Sequence, residues 1–294
     1  MNSKTLVLGG SSFVGRHLLR SCKMIDTVFT FNKNPISGGL HFDSKNMSLS
    51  DIISVRDNFQ CAVILLGETK PHLCFQNPKG SYSLNVTSMI RLLDDLKKME
   101  ITPIFISTEF VYDGKEGKYS EKSNADPVVV YGRHKLEVES YIKAHFDRYL
   151  IFRLAKTYSF DPSDNTFFTN WLTLADNGDE IVCAVDQAFS PIYIQDAVDV
   201  IQQGMKQEWN GVYNLGAEKS YERGELLEML LEKRSHYVNT VASVSYCTTN
   251  EMDVAEKWPL DVSMDTHAVR GLYHKKWITP DVACEKICSV IYNS

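Results

Sequence analysis

No run of apolar residues in this sequence approaches the length of a membrane span. Met1-Asn2-Ser3-Lys4 leads straight into the strand-like Thr5-Leu6-Val7-Leu8 rather than into a signal peptide. A cytoplasmic protein with no membrane partner is therefore expected. Positive charge is in deficit: 31 Lys and Arg stand against 37 Asp and Glu, a net charge of −6. That balance argues against nucleic acid or an anionic membrane as the main partner, and any anion site must be local. The seven cysteines (Cys22, Cys61, Cys74, Cys183, Cys247, Cys284 and Cys288) contain no Cys-x-x-Cys pair. An odd, scattered set predicts reduced thiols, with Cys284 and Cys288 one helical turn apart on a buried face. The histidines are dispersed without zinc spacing, so no metal is expected. No Gly-Lys-Ser/Thr follows a glycine-rich turn, which disfavours phosphoryl transfer. Internal repeats and low-complexity tracts are absent, and the sequons at Asn46 and Asn85 read as accidental.

What is present alternates. Thr5–Leu8 reads as a strand and Ser12–Cys22 as a helix with Val14, Leu18 and Cys22 on one face. Strands follow at Val28–Phe31 and Leu40–Phe42, then a brief helix from Asp51 capped by Ser50. Cys61–Leu66 is a continuous apolar run, as in a strand buried on both faces. A long helix from about Tyr82 to Met99, a strand at Ile104–Ser107, a helix over 132–146 and a strand at Tyr149–Leu154 complete the series. Strand and helix taking turns predicts an α/β fold of Rossmann type, a doubly wound parallel sheet. After Thr157 the pattern becomes aromatic and less periodic, and Val212–Leu215 reads as one more strand returning to the sheet. The expected domains are therefore 1–157 with 192–217 for the nucleotide, and 158–191 with 218–294 as a smaller C-terminal substrate lobe.

Leu8-Gly9-Gly10-Ser11-Ser12-Phe13-Val14-Gly15 joins the first strand to the first helix. Glycines in such a turn let the backbone approach a pyrophosphate, and the helix start supplies N–H groups and a favourable dipole. Gly9 serves the bend and Gly15 the close packing of helix on sheet. The middle glycine of a G-x-x-G-x-x-G pattern is Ser12, whose hydroxyl is itself a phosphate ligand by type. Gly9, Ser11, Ser12, Phe13, Val14 and Gly15 are thus the candidate cofactor cradle. The second strand ends in Phe31-Asn32-Lys33-Asn34, without the acid that would hold a ribose 2′-hydroxyl of NAD. Asn32 and Lys33 instead suit a 2′-phosphate, with Arg16 a second source of charge. NADP is the expected cofactor and NAD the alternative, as is a Lys33 that is merely solvated.

A second constellation lies further on. Ser107-Thr108-Glu109-Phe110-Val111-Tyr112-Asp113-Gly114 ends a strand, and Tyr131-Gly132-Arg133-His134-Lys135 opens a helix behind Pro127. Helical spacing of i and i+4 puts Tyr131 and Lys135 on one face. An ammonium beside a phenol is expected to lower its pKa and make it usable in proton transfer, while Thr108 holds a carbonyl oxygen. That is apparatus for reducing a ketone or oxidising an alcohol; a packed ring beside a solvated charge is the plain alternative.

These segments resemble the extended short-chain dehydrogenase/reductase superfamily, and within it the dTDP-4-dehydrorhamnose reductase group, over nearly the whole length. Ser107 to Gly114 is similar to that group's Ser-Thr-Asp-Tyr-Val-Phe-Asp-Gly, Tyr119-Ser120-Glu121 to its Tyr-x-Glu, and Pro127 through Glu139 to its Pro-x-x-x-Tyr-Gly-x-x-Lys-x-x-x-Glu. Asn85 resembles its Val-Asn on the helix after the fourth strand. Further likenesses are Ser190 to Ala197, Gly211 to Leu215 and Pro259 to Asp265. The resemblance implies that Thr108, Tyr131 and Lys135 are catalytic, with Tyr131 protonating the C4 oxygen and Lys135 also binding the nicotinamide ribose. It implies a 4-keto-6-deoxy sugar nucleotide as substrate; a monomer or homodimer is expected. Departures occur where Leu66-Gly67-Glu68 replaces the group's Asn-Ala-Ala, leaving Leu66 and Gly67 at the nicotinamide side. Glu109 replaces Asp, and Lys156 stands where the group has a Trp near the sugar. The expected substrate residues are Thr108, Glu109, Lys156, Asn170, Trp171 and Pro191, in a site between the lobes. An epimerase or dehydratase of the same superfamily, and a non-catalytic nucleotide-binding regulatory relative, are the competing readings.

Overall fold

The computed structural model describes residues 4–21, 26–252 and 256–293. The strands of its main sheet are β1 (Lys4–Leu8), β2 (Thr27–Phe31), β3 (Leu40–His41), β4 (Phe59–Ile64), β5 (Thr102–Thr108) and β6 (Leu150–Leu154), joined by a seventh at Gly211–Leu215. They form one parallel sheet in the order seventh strand, β6, β5, β4, β1, β2, β3. Val7 pairs with Phe29 on one side and Val63 on the other, and Val63 pairs in turn with Ile104. The expected Rossmann-type α/β class is the observed one. Near-continuous Val, Ile and Leu in β1, β4 and β5 follows from the burial of both faces of such a sheet.

The strand order reverses between β1 and β4, so successive crossovers leave on opposite faces and a crevice opens at their C-terminal ends. The two exits touch there: a Cβ on Gly9 would lie 3.1 Å from the Leu65 carbonyl oxygen.

Two compact units divide the chain. The first comprises 1–111, 125–153 and 198–213, and the second 112–124, 154–197 and 214–294. The first is held by Leu6, Leu8, Ile64, Leu93, Phe105, Val138 and Ile151, at a gain of roughly 1.5–3 kcal/mol for each such side chain removed from water. The second has its own core of Phe168, Trp171, Ile181, Leu226, Leu230 and Ile287, with Cys284 and Cys288 fully buried as the helical spacing implied. Helices Phe167–Asn177, Arg223–Ser235 and Pro280–Tyr292 lie in the stretches, 158–191 and 218–294, that look least periodic.

Three local expectations are corrected. The helix expected from Asp51 is a single 3-10 turn, Leu49–Asp51, capped by Ser48 rather than Ser50; the Asp51 carboxylate accepts the Ser48 N–H at 2.8 Å. The helix expected from Tyr82 to Met99 is instead Pro78–Tyr82, a π turn over Ser83–Thr87, and Ser88–Lys98. The helix expected over Ser12–Cys22 covers Phe13–Ser21, and Cys22 lies outside the described residues.

Candidate active site

The turn after β1 has the geometry the glycines promised. Gly9 has φ +93°, in the region that favours glycine, and its N–H donates to the Thr30 hydroxyl at 3.1 Å. Gly10 N–H donates to the Thr30 carbonyl at 2.7 Å, which ties the turn to β2. A Cβ on Gly15 would fall 2.5 Å from the Gly9 carbonyl oxygen, so only glycine lets the helix approach the turn this closely. Ser12 replaces the middle glycine because it caps the helix: its hydroxyl accepts the Gly15 N–H at 3.1 Å. The N–H groups of Phe13 and Val14 have no partner among the described residues. A closely packed turn with unpaired donors at a helix start fits a dinucleotide pyrophosphate. Asn32 and Lys33 stand exposed at the exit of β2.

At the exit of β4 the chain leaves the sheet through Leu65, Leu66 and Gly67. Gly67 has φ +121°, and a Cβ there would meet the Asn85 Oδ1 at 2.7 Å. Asn85 accepts the Glu68 N–H at 2.8 Å and donates to the Glu68 carbonyl at 2.9 Å. The π turn over Ser83–Thr87 carries Asn85, and such bulges turn side chains out of helical register. A side chain so engaged is no glycosylation acceptor.

Thr108, Glu109, Tyr131 and Lys135 converge in the first unit, all buried. The Thr108 hydroxyl donates to the Glu109 carboxylate at 2.8 Å, and the Tyr131 phenol lies beside both. A carboxylate only accepts, so the single Thr108 proton faces Glu109, and the Thr108 oxygen accepts the Phe110 N–H, 3.3 Å away. Gly132 is required beside them, since a Cβ would lie 2.0 Å from the Phe110 carbonyl oxygen.

Lys135 does not lower the Tyr131 pKa as expected. Burial, the Glu109 carboxylate and then Cys74 push the phenol above its ordinary value. The Lys135 ammonium donates instead to the Ile106 carbonyl at 2.7 Å, 4.4 Å from the centre of the Phe105 ring and 5.9 Å from that of Tyr131. Burial pushes Lys135 itself down to about 8 against the opposing pull of Glu139.

Below the pair, Glu139 is fully buried and bound to Arg153, Nη2 to Oε2 at 2.7 Å. Burial alone would raise its carboxyl, but Arg153 and the Ser107 hydroxyl outweigh that and hold it below the usual range. The Glu139–Arg153 pairing was not read from sequence: Glu139 appeared there only as part of a motif, and an Arg inside an apolar strand is its one signal.

The second unit holds the other candidates. The Lys156 carbonyl accepts the Ile192 N–H at 3.0 Å, and Thr157 pairs with Ile192, so the structure brings Lys156 beside Pro191. Lys156 is exposed and Pro191 buried. Asn170 is exposed on helix Phe167–Asn177, whereas Trp171 is 3% exposed, packed against Phe167 and Phe168 with the Arg223 guanidinium 5.8 Å from its ring. Neighbours on a helix point about 100° apart, so these two do not present to the same ligand. Among the described residues no three His, Cys, Asp or Glu side chains cluster as metal ligands, and no helix is long and apolar enough to cross a membrane.

Known proteins resemble this chain in sequence and in fold. A dTDP-4-dehydrorhamnose reductase of Aggregatibacter actinomycetemcomitans is 29% identical over 168 residues, 56% of each chain. Methionine adenosyltransferase 2 subunit beta of Danio rerio is 31% identical over 93 residues, 31% of this chain and 28% of that protein. The chain thus spans about half or less of the length of these curated relatives. Among solved structures, a dTDP-4-dehydrorhamnose reductase of Bacillus anthracis in complex with NADP superposes with a TM-score of 0.83 at 19% identity, covering 98% of this chain and 99% of that one. The family described as RmlD substrate binding domain matches residues 3–282, and the chain belongs to that family.

Proposed function

We propose that this protein is an NADPH-dependent reductase of a 4-keto-6-deoxy sugar nucleotide. The observation that carries the reading is the buried convergence of Thr108, Glu109, Tyr131 and Lys135 beside the switch-point crevice. The names of the reductase relative and of the NADP-bound neighbour support it. The cofactor, once bound, supplies hydride to the carbonyl carbon. Thr108 orients the carbonyl oxygen by turning its hydroxyl proton from Glu109 to the substrate, and Tyr131 gives up its proton as charge develops there. A phenol held above its ordinary pKa keeps that proton at neutral pH, as a donor must, and an alkoxide is basic enough to take it. Lys135 is the group for the nicotinamide ribose. Gly9 to Gly15 hold the pyrophosphate, Lys33 and Asn32 the 2′-phosphate, and Leu66 with Gly67 border the nicotinamide. Lys156, exposed at the end of β6, is the cation for the substrate, with Asn170 and Pro191 as further contacts. Glu109 stands against the reacting oxygen.

The deciding experiment incubates the purified protein with NADPH and a panel of 4-keto sugar nucleotides, following absorbance at the reduced nicotinamide band. Oxidation with one or more of them supports the reading, and none with any of them overturns it. Replacing Lys156 by Ala should raise the KM for the sugar nucleotide and leave NADPH affinity unchanged.

A second reading, a nucleotide-binding regulatory subunit, is favoured by the match to methionine adenosyltransferase 2 subunit beta. It predicts NADP(H) binding without turnover.

A further inference from the structure

Glu139 takes no part in the chemistry above, yet it is the most enclosed charged group beneath it. Three elements meet at its carboxylate. Ser107 on β5 donates at 2.6 Å, and Arg153 on β6 donates through Nε at 3.1 Å and Nη2 at 2.7 Å. Lys143, one turn further along the helix Val130–His145, donates at 3.2 Å. A buried Arg–Glu pair alone is commonplace and weak evidence for anything but packing. Its position separates this one from that class. Ser107 immediately precedes Thr108, and Lys135 lies one helical turn before Glu139 on the same face. One carboxylate therefore grips the strand that carries the carbonyl-binding hydroxyl and the helix that carries the phenol and the ammonium.

We propose that Glu139 is a positioning residue, which clamps the end of β5 through Ser107, and β6 through Arg153, to the helix Val130–His145 and so sets where Thr108 stands relative to Tyr131 and Lys135. Its charge acts as well. Lys135 is faced by Glu139 on its own helix, by Cys74 from the helix Pro71–Gln76, and by the Ile106 carbonyl and Phe105 ring of β5. Tyr131, its other neighbour, is faced by Thr108, Glu109, Cys74 and Glu68. Of these, Glu139 is the first group opposing the burial that drives Lys135 toward neutrality. The functional weight of the clamp rests on the proposed reductase reading; the Lys135 titration does not.

The test uses the ligand-free full-length protein with labelled lysine side chains, Lys135 being assigned from a Lys135→Arg spectrum. Glu139→Gln should move the Lys135 titration to lower pH by about one unit. A folded Glu139→Gln protein in which Lys135 titrates as in wild type overturns the proposal. Ser107→Ala keeps every charge and loosens only the grip on β5. It should leave the titration in place and lower kcat by about tenfold with NADPH affinity unchanged, and an unchanged kcat overturns the clamp. If Glu139→Gln does not fold, Ser107→Ala decides. If the wild type reduces no sugar nucleotide, the reductase reading fails and the Lys135 titration alone decides on Glu139.

Discussion

Asn85 holds Glu68 by both of its backbone groups, taking the N–H at 2.8 Å and giving to the carbonyl at 2.9 Å. One side-chain amide thus supplies what a neighbouring strand would have supplied, and it does so where the chain has left the sheet. Gly67, wedged against the same amide oxygen, has no room for a side chain.

Replacing Asn85 by Ala strands a partly buried N–H and carbonyl, at a cost of about 1–3 kcal/mol. The melting temperature should fall and, if the loop of Leu66 and Gly67 borders the nicotinamide as proposed, NADPH should bind more weakly as that loop loses its anchor. Asn85→Asp keeps the acceptor and loses the donor, so an intermediate loss is expected. Thermal unfolding and a fluorescence titration of both variants check this; wild-type values in Asn85→Ala would contradict it.

Lys135 gives stability a pH dependence of definite sign. Its folded pKa of about 8 lies below the ordinary value of 10.5. Below pH 8 the fold carries the full cost of a buried ammonium, on the order of 3 kcal/mol at most. Between about 8 and 10.5 the unfolded chain binds more protons than the folded one, so stability rises with pH. Lys135→Met should therefore be more stable than wild type at pH 7, with the gap closing toward pH 10. Urea unfolding across that range measures it, and a gap independent of pH would contradict the assignment. Tyr131 does not interfere below about pH 9, being protonated in both states there.

Tyr131→Phe deletes the proton donor and keeps the buried ring. Turnover with the preferred sugar nucleotide should drop by about 10²–10⁴-fold, with the melting temperature little changed. Single-turnover rates separate this from a change in binding. A variant that reduces substrate at near the wild-type rate would remove Tyr131 from the chemistry.

Cofactor choice rests on the exposed end of β2. With Asn32 and Lys33 in place of an acid, NADPH should bind more tightly than NADH, and Lys33→Glu should shrink or reverse the preference. Calorimetric titration of both dinucleotides into both proteins decides it; a wild type that favours NADH would refute the role given to Lys33.

Much of this was legible in the sequence because it depends on local rules. Alternating strand and helix patterns imply a parallel sheet, since short parallel strands need crossovers. The glycines at 9 and 15 announced a tight turn, and the spacing of Tyr131 and Lys135 put both on one helix face. What the sequence left open turns on burial and on partners far along the chain. Spacing alone made Lys135 the activator of Tyr131; packing sent its ammonium to the Ile106 carbonyl and left Glu109 as the charge beside the phenol. The helix expected from Tyr82 onward has the right composition, and only the structure shows the π turn that carries Asn85 and the Glu68 backbone that Asn85 holds. Trp171 reads as a ligand-flanking aromatic until the second core closes around it. Arg153 and Glu139 are 14 residues apart, and their pairing becomes visible only when β6 and the helix Val130–His145 pack together. Periodicity is written in neighbouring residues, whereas the electrostatics of a buried site is set by which distant groups share its low-dielectric space, and that the tertiary structure alone decides.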